Sequence, residues 1–327
     1  MNRLLTALTG AAFAMLASGA EAQTRWVMAT PYAEQNYHTR NVRTFLAEVE
    51  QATQGKLVVQ AHHNGSLLPL PQIKRGVQTG QIQLGEVLLS IHGNEDPFFE
   101  ADSVPFLADT WQATAALALA TEPFIRARLE RQGLTLLSMV PWPSQGFYTR
   151  TPLTALTELR GTRFRSYNTL TTRFAELLGA QPVTVQVPDI PQAFATNLVN
   201  VLFTAAQTGV DTSAWDFSRH FLDVGGMRAK NAIFANSRAL AALEPGVRAA
   251  LVAAAKQAEI RGTEMARAAE TEATERLRSH GMTVAAAPPE MQAQLREIGA
   301  KQTQEWLARA GQDGGQMLER YRALVSR

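Results

Sequence analysis

Apolar residues recur at two different spacings along the chain, and the switching between them predicts its elements. From Arg25 to Ala29, Trp26 and Met28 fall on one face and Val27 on the other, the two-residue period of a strand. From His38 to Thr53, Val42, Phe45, Leu46 and Val49 recur at three and four residues, with Gly55 beyond. That spacing predicts an amphipathic helix and its stop. Leu57 to Ala61 reads as a second strand, Pro71 to Thr79 as a helix closed by Gly80, and Leu84 to Leu89 as a third strand. Strand, helix, strand in that order is the pattern of parallel βαβ units, so a first α/β lobe begins at Gln23. Trp111 to Gln132 continues it as a helix ending at Gly133, followed by a strand from Leu134 to Val140.

Proline and glycine then interrupt the chain at Trp142-Pro143-Ser144-Gln145-Gly146-Phe147-Tyr148, which suits a crossing between lobes. Beyond it a second alternation starts. A short helix stopped by Gly161 is followed by a strand at Arg163 to Ser166, a helix at Thr172 to Leu178, a strand at Val183 to Gln186, a helix at Pro191 to Thr196 and a strand at Val199 to Phe203. Two α/β lobes joined by crossing segments leave a natural cleft between them. Pro245 to His280 is the longest helical pattern, with Gly281 as its stop. At about 1.5 Å per residue it reaches roughly 54 Å, so it spans both lobes or bends, and Gly262 is its internal weak point. Glu290 to Ala310 and Gln316 to Val325 predict two closing helices.

Composition narrows the classes of function. The 31 Lys and Arg against 29 Asp and Glu leave a net charge of +2 with no dense basic run, which argues against nucleic acid as a partner. The lack of cysteine excludes disulfides, thiolate chemistry and Cys-rich metal sites. His62 and His63 adjoin, but neighbours on an extended segment point to opposite faces, poor geometry for one metal. No His-Glu-x-x-His spacing, nucleophile elbow, Gly-x-Gly-x-x-Gly or Walker loop follows a strand. Neither metal, cofactor nor catalytic centre is expected. Export is expected: Met1-Asn2-Arg3, the uncharged apolar stretch Leu4 to Gly19 and the small residues of Ala20-Glu21-Ala22 form a secretory signal peptide, removed after Ala22.

Arg165 is the most informative candidate. It stands near the end of a predicted strand, where open α/β sheets receive their ligands. Phe164 and Arg165 point to opposite faces, so a strand that buries one presents the other to a cleft. A guanidinium held there can grip a planar carboxylate through two parallel hydrogen bonds; a solvated surface arginine fits the same spacing. Glu86 lies inside an otherwise apolar strand, where an unpaired charge is costly. It is expected either to accept from a ligand hydroxyl or amine or to pair with a protein cation. Tyr32, Asn36, Tyr37 and His38 occupy the first strand-to-helix connection, where loop residues meet ligands, and Asn36 fits equally well as a helix cap. Trp142, Tyr167, Asn168 and Phe203 are candidates for the cleft walls, with core packing as the alternative for each aromatic.

An ordered set of segments carries a resemblance: Lys56-Leu57-Val58-Val59 with Asn64-Gly65-Ser66-Leu67, then Gln78-Thr79-Gly80, Pro105-Phe106-Leu107, Leu159-Arg160-Gly161-Thr162-Arg163-Phe164-Arg165, Gly179-Ala180-Gln181-Pro182-Val183, Asp189 to Phe194, and Phe234-Ala235-Asn236 before the long helix. In this set the chain resembles the substrate-binding proteins of tripartite ATP-independent periplasmic (TRAP) transporters, the DctP-type solute receptors. The resemblance implies an α/β, two-lobed periplasmic binding protein with a ligand cleft between lobes and a long lobe-spanning helix. The division expected is residues 23–147 with 237–276 as the first lobe and 148–236 with 277–327 as the second. Also implied is a monomeric receptor that closes on a small organic acid anion and delivers it to the membrane permease subunits. Arg165 matches the arginine that pairs with the ligand carboxylate in this family.

Two positions depart from the family pattern. Tyr148 stands where many members carry a second arginine, and Thr204 where an Asn often follows the strand. A phenol and a hydroxyl add no charge, so one fixed cation with neutral donors, among them Gln207, favours a monocarboxylate. With Glu86 facing the cleft, that acid would be polyhydroxylated, a small hydroxy or sugar acid of the aldonate kind. The alternatives are a receptor of another uptake system, against which the long helix argues, and a periplasmic enzyme, against which the missing motifs argue.

Overall fold

The computed structural model describes residues 23–326; the expected signal peptide, residues 1–22, lies outside them. A five-stranded sheet forms the first lobe. Its strands are β1 (Thr24–Ala29), β2 (Leu57–His62), β3 (Leu84–Leu88), β4 (Leu134–Pro141) and β10 (Lys230–Asn236), in the order β2-β1-β3-β10-β4. β1 pairs in parallel with β2 and β3, as the βαβ pattern predicts, through α1 (Tyr37–Ala52) and α2 (Leu70–Gln78). β10 enters antiparallel between β3 and β4 and is buried along its whole length. Helices cover both faces. On one, α2 and α3 (Trp111–Arg131) bury Ile73, Val77, Leu117 and Leu129; on the other, Val42, Phe45 and Val49 of α1 meet Leu251 and Ala255 of a later helix.

The second lobe holds β5 (Gln145–Thr149), β6 (Arg163–Ser166), β7 (Gln181–Thr184), β8 (Val201–Ala205), β9 (His220–Asp223) and β11 (Thr283–Ala286), ordered β11-β9-β5-β8-β6-β7. Phe147, Phe164, Phe174 and Phe203 pack ring on ring between this sheet and α4 (Thr169–Leu177). Two crossings connect the sheets, one between β4 and β5 and one between β9 and β10. They run side by side, Trp142 N donating to Ala229 O at 2.7 Å.

After the short helices α5 (Ile190–Ala195), α6 (Ala206–Asp211) and α7 (Ser237–Ala242), the helix α8 (Pro245–Ser279) is the third connection. Its 35 residues reach about 52 Å. Val247 to Ala258 bury against the first lobe, Ala266 and Ala269 at the junction, and Ala273 and Leu277 in the second lobe. It spans without breaking at Gly262. A Cβ there would lie 2.6 Å from both Asn41 Nδ2 and Val140 Cγ2, so glycine serves close approach, not a bend. The chain does turn at Gly311 (φ 61°, ψ −146°) inside α9 (Pro289–Val325), between the two closing helices read from the sequence.

The sheets divide the chain differently from the expected boundaries. β5 begins at Gln145, already in the second sheet, and β10, residues 230–236, returns to the first. The segment 277–327 is also split: Met291 and Leu295 pack in the second lobe, whereas Trp306, Met317 and Tyr321 pack in the first. The cause is the second crossing, which carries the chain back before β10, earlier than the start of the long helix.

Candidate functional site

Strand β6 turns Phe164 into the aromatic core and Arg165 to the opposite face. Arg165 is 2% exposed. Its Nε donates to Val185 O at 2.8 Å, and the guanidinium carbon stands 4.6 Å from the centre of the Tyr167 ring. No carboxylate among the described residues forms an ion pair with it. Burial pulls its pKa down to about 10, which leaves it charged at neutral pH. With Nε engaged, the terminal nitrogens are the edge left for a planar anion, the fork that binds carboxylate bidentately. A buried charge without a counter-ion is costly.

Arg165 opens on a cavity between the lobes. The second lobe contributes Gln145, Arg165, Tyr167, Gln186, Val187, Thr204, Ala205 and Thr208. The first lobe and the crossings contribute Tyr32, Leu70, Leu88, Ile91, Trp142 and Ala229. One charge, a few amide and hydroxyl groups and largely apolar walls are the make-up of a small-molecule site.

Tyr32 and Trp142 are held in place from behind. Both donate to Asn231 Oδ1, at 3.0 and 2.9 Å, and Asn231 Nδ2 donates to Glu86 Oε1 at 3.0 Å. Thr30 Oγ1 donates to Glu86 Oε2 at 2.6 Å, and His38 Nδ1 lies 3.3 Å from Oε1. Burial pushes the Glu86 pKa up, but the neighbouring His38 and the hydrogen bonds from Thr30 and Asn231 outweigh it and hold the carboxyl below its ordinary value. Burial pulls the His38 pKa below its ordinary value, against the pull of Glu86; its ring packs among Tyr32, Tyr37 and Trp142.

Of the residues singled out in the sequence, Arg165, Tyr32, Trp142, Tyr167 and Thr204 line the cavity. Glu86 lies behind the wall, its oxygens taken by Thr30 and Asn231. Asn36 caps α1 and also donates to Asp211 Oδ2 at 2.6 Å, while Gln207 donates to Asp211 Oδ1 at 2.7 Å. Tyr37 donates to Pro141 O at 2.6 Å and His38 joins the aromatic cluster. Tyr148 and Phe203 do not line the cavity. Tyr148 shares the face of Leu202 and Thr204 but lies under α6 (Ala206–Asp211), near the carbonyls of Ala205 and Ala206, and strand alternation puts Phe203 among the core phenylalanines, opposite Thr204. Asn168 lines the outer mouth of the cleft and donates across the lobes to Ser90 Oγ at 2.9 Å. Beside it Thr169 Oγ1 donates to Glu100 Oε2 at 2.5 Å.

Gln145, Gln186, Val187 and Thr208 were not singled out. Gln145 shares a strand face with the core residue Phe147 and reaches the cavity because it lies at the end of β5 nearest the crossing, which the two-residue period alone does not signal. Among the described residues no group of three or more His, Asp or Glu side chains could hold a metal ion, and no helix is long and apolar enough to cross a membrane.

Two α/β lobes closing on an inner cavity with a buried cation define a solute-binding protein. The chain belongs to the bacterial extracellular solute-binding protein family 7, DctP, whose model matches residues 28–309. Among solved structures it is similar to DctP7, a Bordetella pertussis extracytoplasmic solute receptor binding pyroglutamic acid. That match has 44% identity and a TM-score of 0.90 and covers 91% of this chain and 99% of that one. DctP6 of the same organism, also binding pyroglutamic acid, is 37% identical over 92% of this chain and 100% of its own, with a TM-score of 0.90. A marine metagenome TRAP solute-binding protein specific for pyroglutamate is 33% identical over 92% and 99%, again with a TM-score of 0.90. The protein is a TRAP solute receptor, as its sequence motifs suggested, with the long lobe-spanning helix of that fold.

Proposed function

We propose that the cavity receives pyroglutamate or a closely similar small cyclic monocarboxylate, which the receptor carries to the permease subunits of a TRAP transporter without altering it. The observation that carries this reading is the Arg165 guanidinium, buried against the cavity with its Nε satisfied and no acidic partner among the described residues. One anionic group fits one cation. The walls of Leu70, Leu88, Ile91, Val187 and Trp142 favour a compact body with methylene groups over a polyol. The sugar-acid expectation leaned on Glu86 facing the ligand, and that carboxylate is spent on Thr30 and Asn231. Three relatives at 33 to 44% identity are described as binding pyroglutamate, which supports the same choice. A periplasmic working place, after removal of the first 22 residues, and action as a monomer complete the proposal.

Calorimetry on the mature chain, with pyroglutamate, gluconate, glutamate and proline offered separately, tests it. Binding in the micromolar range, worth about 8 kcal/mol, is expected for pyroglutamate, and gluconate and glutamate should bind far more weakly. Preference for a sugar acid or a cation, or undiminished binding by Arg165→Met, would overturn the assignment.

A further inference from the structure

Arg165 accounts for one end of the ligand, and a second residue is placed to read the other. Gln145 is 3% exposed, at the first position of β5 where the chain leaves the crossing, and its side chain lines the cavity. Its Oε1 accepts the Tyr167 hydroxyl at 2.8 Å. Tyr167 is in turn fixed under the Arg165 guanidinium, so carboxylate grip and amide orientation share one ring. The Gln145 amide nitrogen has no protein partner among the described residues. With its oxygen oriented on the Tyr167 hydroxyl, the amide's unused donors are its N–H groups.

We propose that Gln145 is a specificity-determining residue that donates to a neutral carbonyl oxygen of the ligand, the lactam oxygen in a pyroglutamate-type acid. The inference rests on the organic-acid reading above and deepens it. A neutral donor cannot compensate a second carboxylate as another arginine would, so an amide at this place selects a carbonyl over a charged end. A ligand lacking the acceptor leaves a buried N–H unpaired, and a polar site rejects such an analogue more strongly than an apolar pocket rejects a missing methylene.

Cyclopentanecarboxylate keeps the ring and the carboxylate of pyroglutamate and lacks the lactam, which makes it the probe. Affinities of both acids for the mature wild-type chain, Gln145→Met and Tyr167→Phe decide the matter. Wild type should prefer pyroglutamate on the order of 30-fold. Gln145→Met should bring the ratio to within about 3-fold, mainly by weakening pyroglutamate, with retained binding of cyclopentanecarboxylate as its folding control. Tyr167→Phe frees the amide to turn and should give an intermediate ratio. Equal affinities in wild type, or a ratio unchanged in Gln145→Met, overturn the role of Gln145 while leaving the acid receptor standing. Failure of wild type to bind either acid removes the acid reading itself and the Gln145 role with it.

Discussion

Glu86 and Arg165 are both buried charges, on two sheets that face one cleft, and their surroundings could hardly differ more. Glu86 has partners on both oxygens, from Thr30 and Asn231, with His38 beside it. Through Asn231 it fixes Tyr32 and Trp142. Arg165 has one carbonyl on Nε and one aromatic ring, and no carboxylate among the described residues. Burial alone therefore does not mark a binding group. The mark is a buried charge that the fold leaves uncompensated, because only a ligand then completes it.

The contrast is broken most sharply at Arg165. Arg165→Met should cost about 2 to 5 kcal/mol of ligand affinity, read by calorimetry. The unliganded variant should melt no lower than wild type, since removing an unpaired buried charge relieves a desolvation penalty. Glu86→Leu should do the reverse. It strands the Asn231 amide and the Thr30 hydroxyl and should lower unliganded stability by about 3 kcal/mol, read by urea denaturation, while Glu86→Gln should lose less. A third buried group sharpens the picture through pH. Burial and the neighbouring Lys74 pull His92 down to about 4, against the pull of Glu95, from an unfolded value near 6.5. Between those values the unfolded chain takes up a proton that the folded chain refuses. The His92 contribution is complete above about pH 6.5 and is lost as pH falls toward 4, up to about 3 kcal/mol. Denaturation across that window should show a slope that His92→Gln flattens. The smallest effect concerns the scaffold beneath both charges: Gly262→Ala pushes α8 off Val140 and Asn41 and should cost about 1 to 3 kcal/mol of stability.

Much of this was legible in the sequence. The strand period separated Phe164 from Arg165, and the ordered family motifs fixed the class of protein. Where the reading failed, parity or long range was the cause. Phe203 and Thr204 are consecutive on β8 and Phe203 turns into the aromatic core, whereas Tyr148 shares the face of Arg165 and Thr204 but lies further along β5, under α6 instead of at the cleft end. Composition could not decide which face was which. Asn36, Tyr37 and His38 stand at the right strand-to-helix junction but are occupied by a helix cap, a backbone carbonyl and an aromatic cluster. The return of residues 230–236 to the first sheet depends on pairing with β3 and β4, far off in the chain, which local periodicity does not encode.

One paired measurement puts the account at risk. Melting temperatures of Arg165→Met and Glu86→Leu, each with and without saturating pyroglutamate, should dissociate in opposite directions. The first should keep its unliganded melting temperature and lose the ligand-induced rise, and the second should melt lower and keep the rise. A ligand-induced rise that survives in Arg165→Met, or vanishes only in Glu86→Leu, would contradict the claim that the uncompensated arginine is the ligand's anchor.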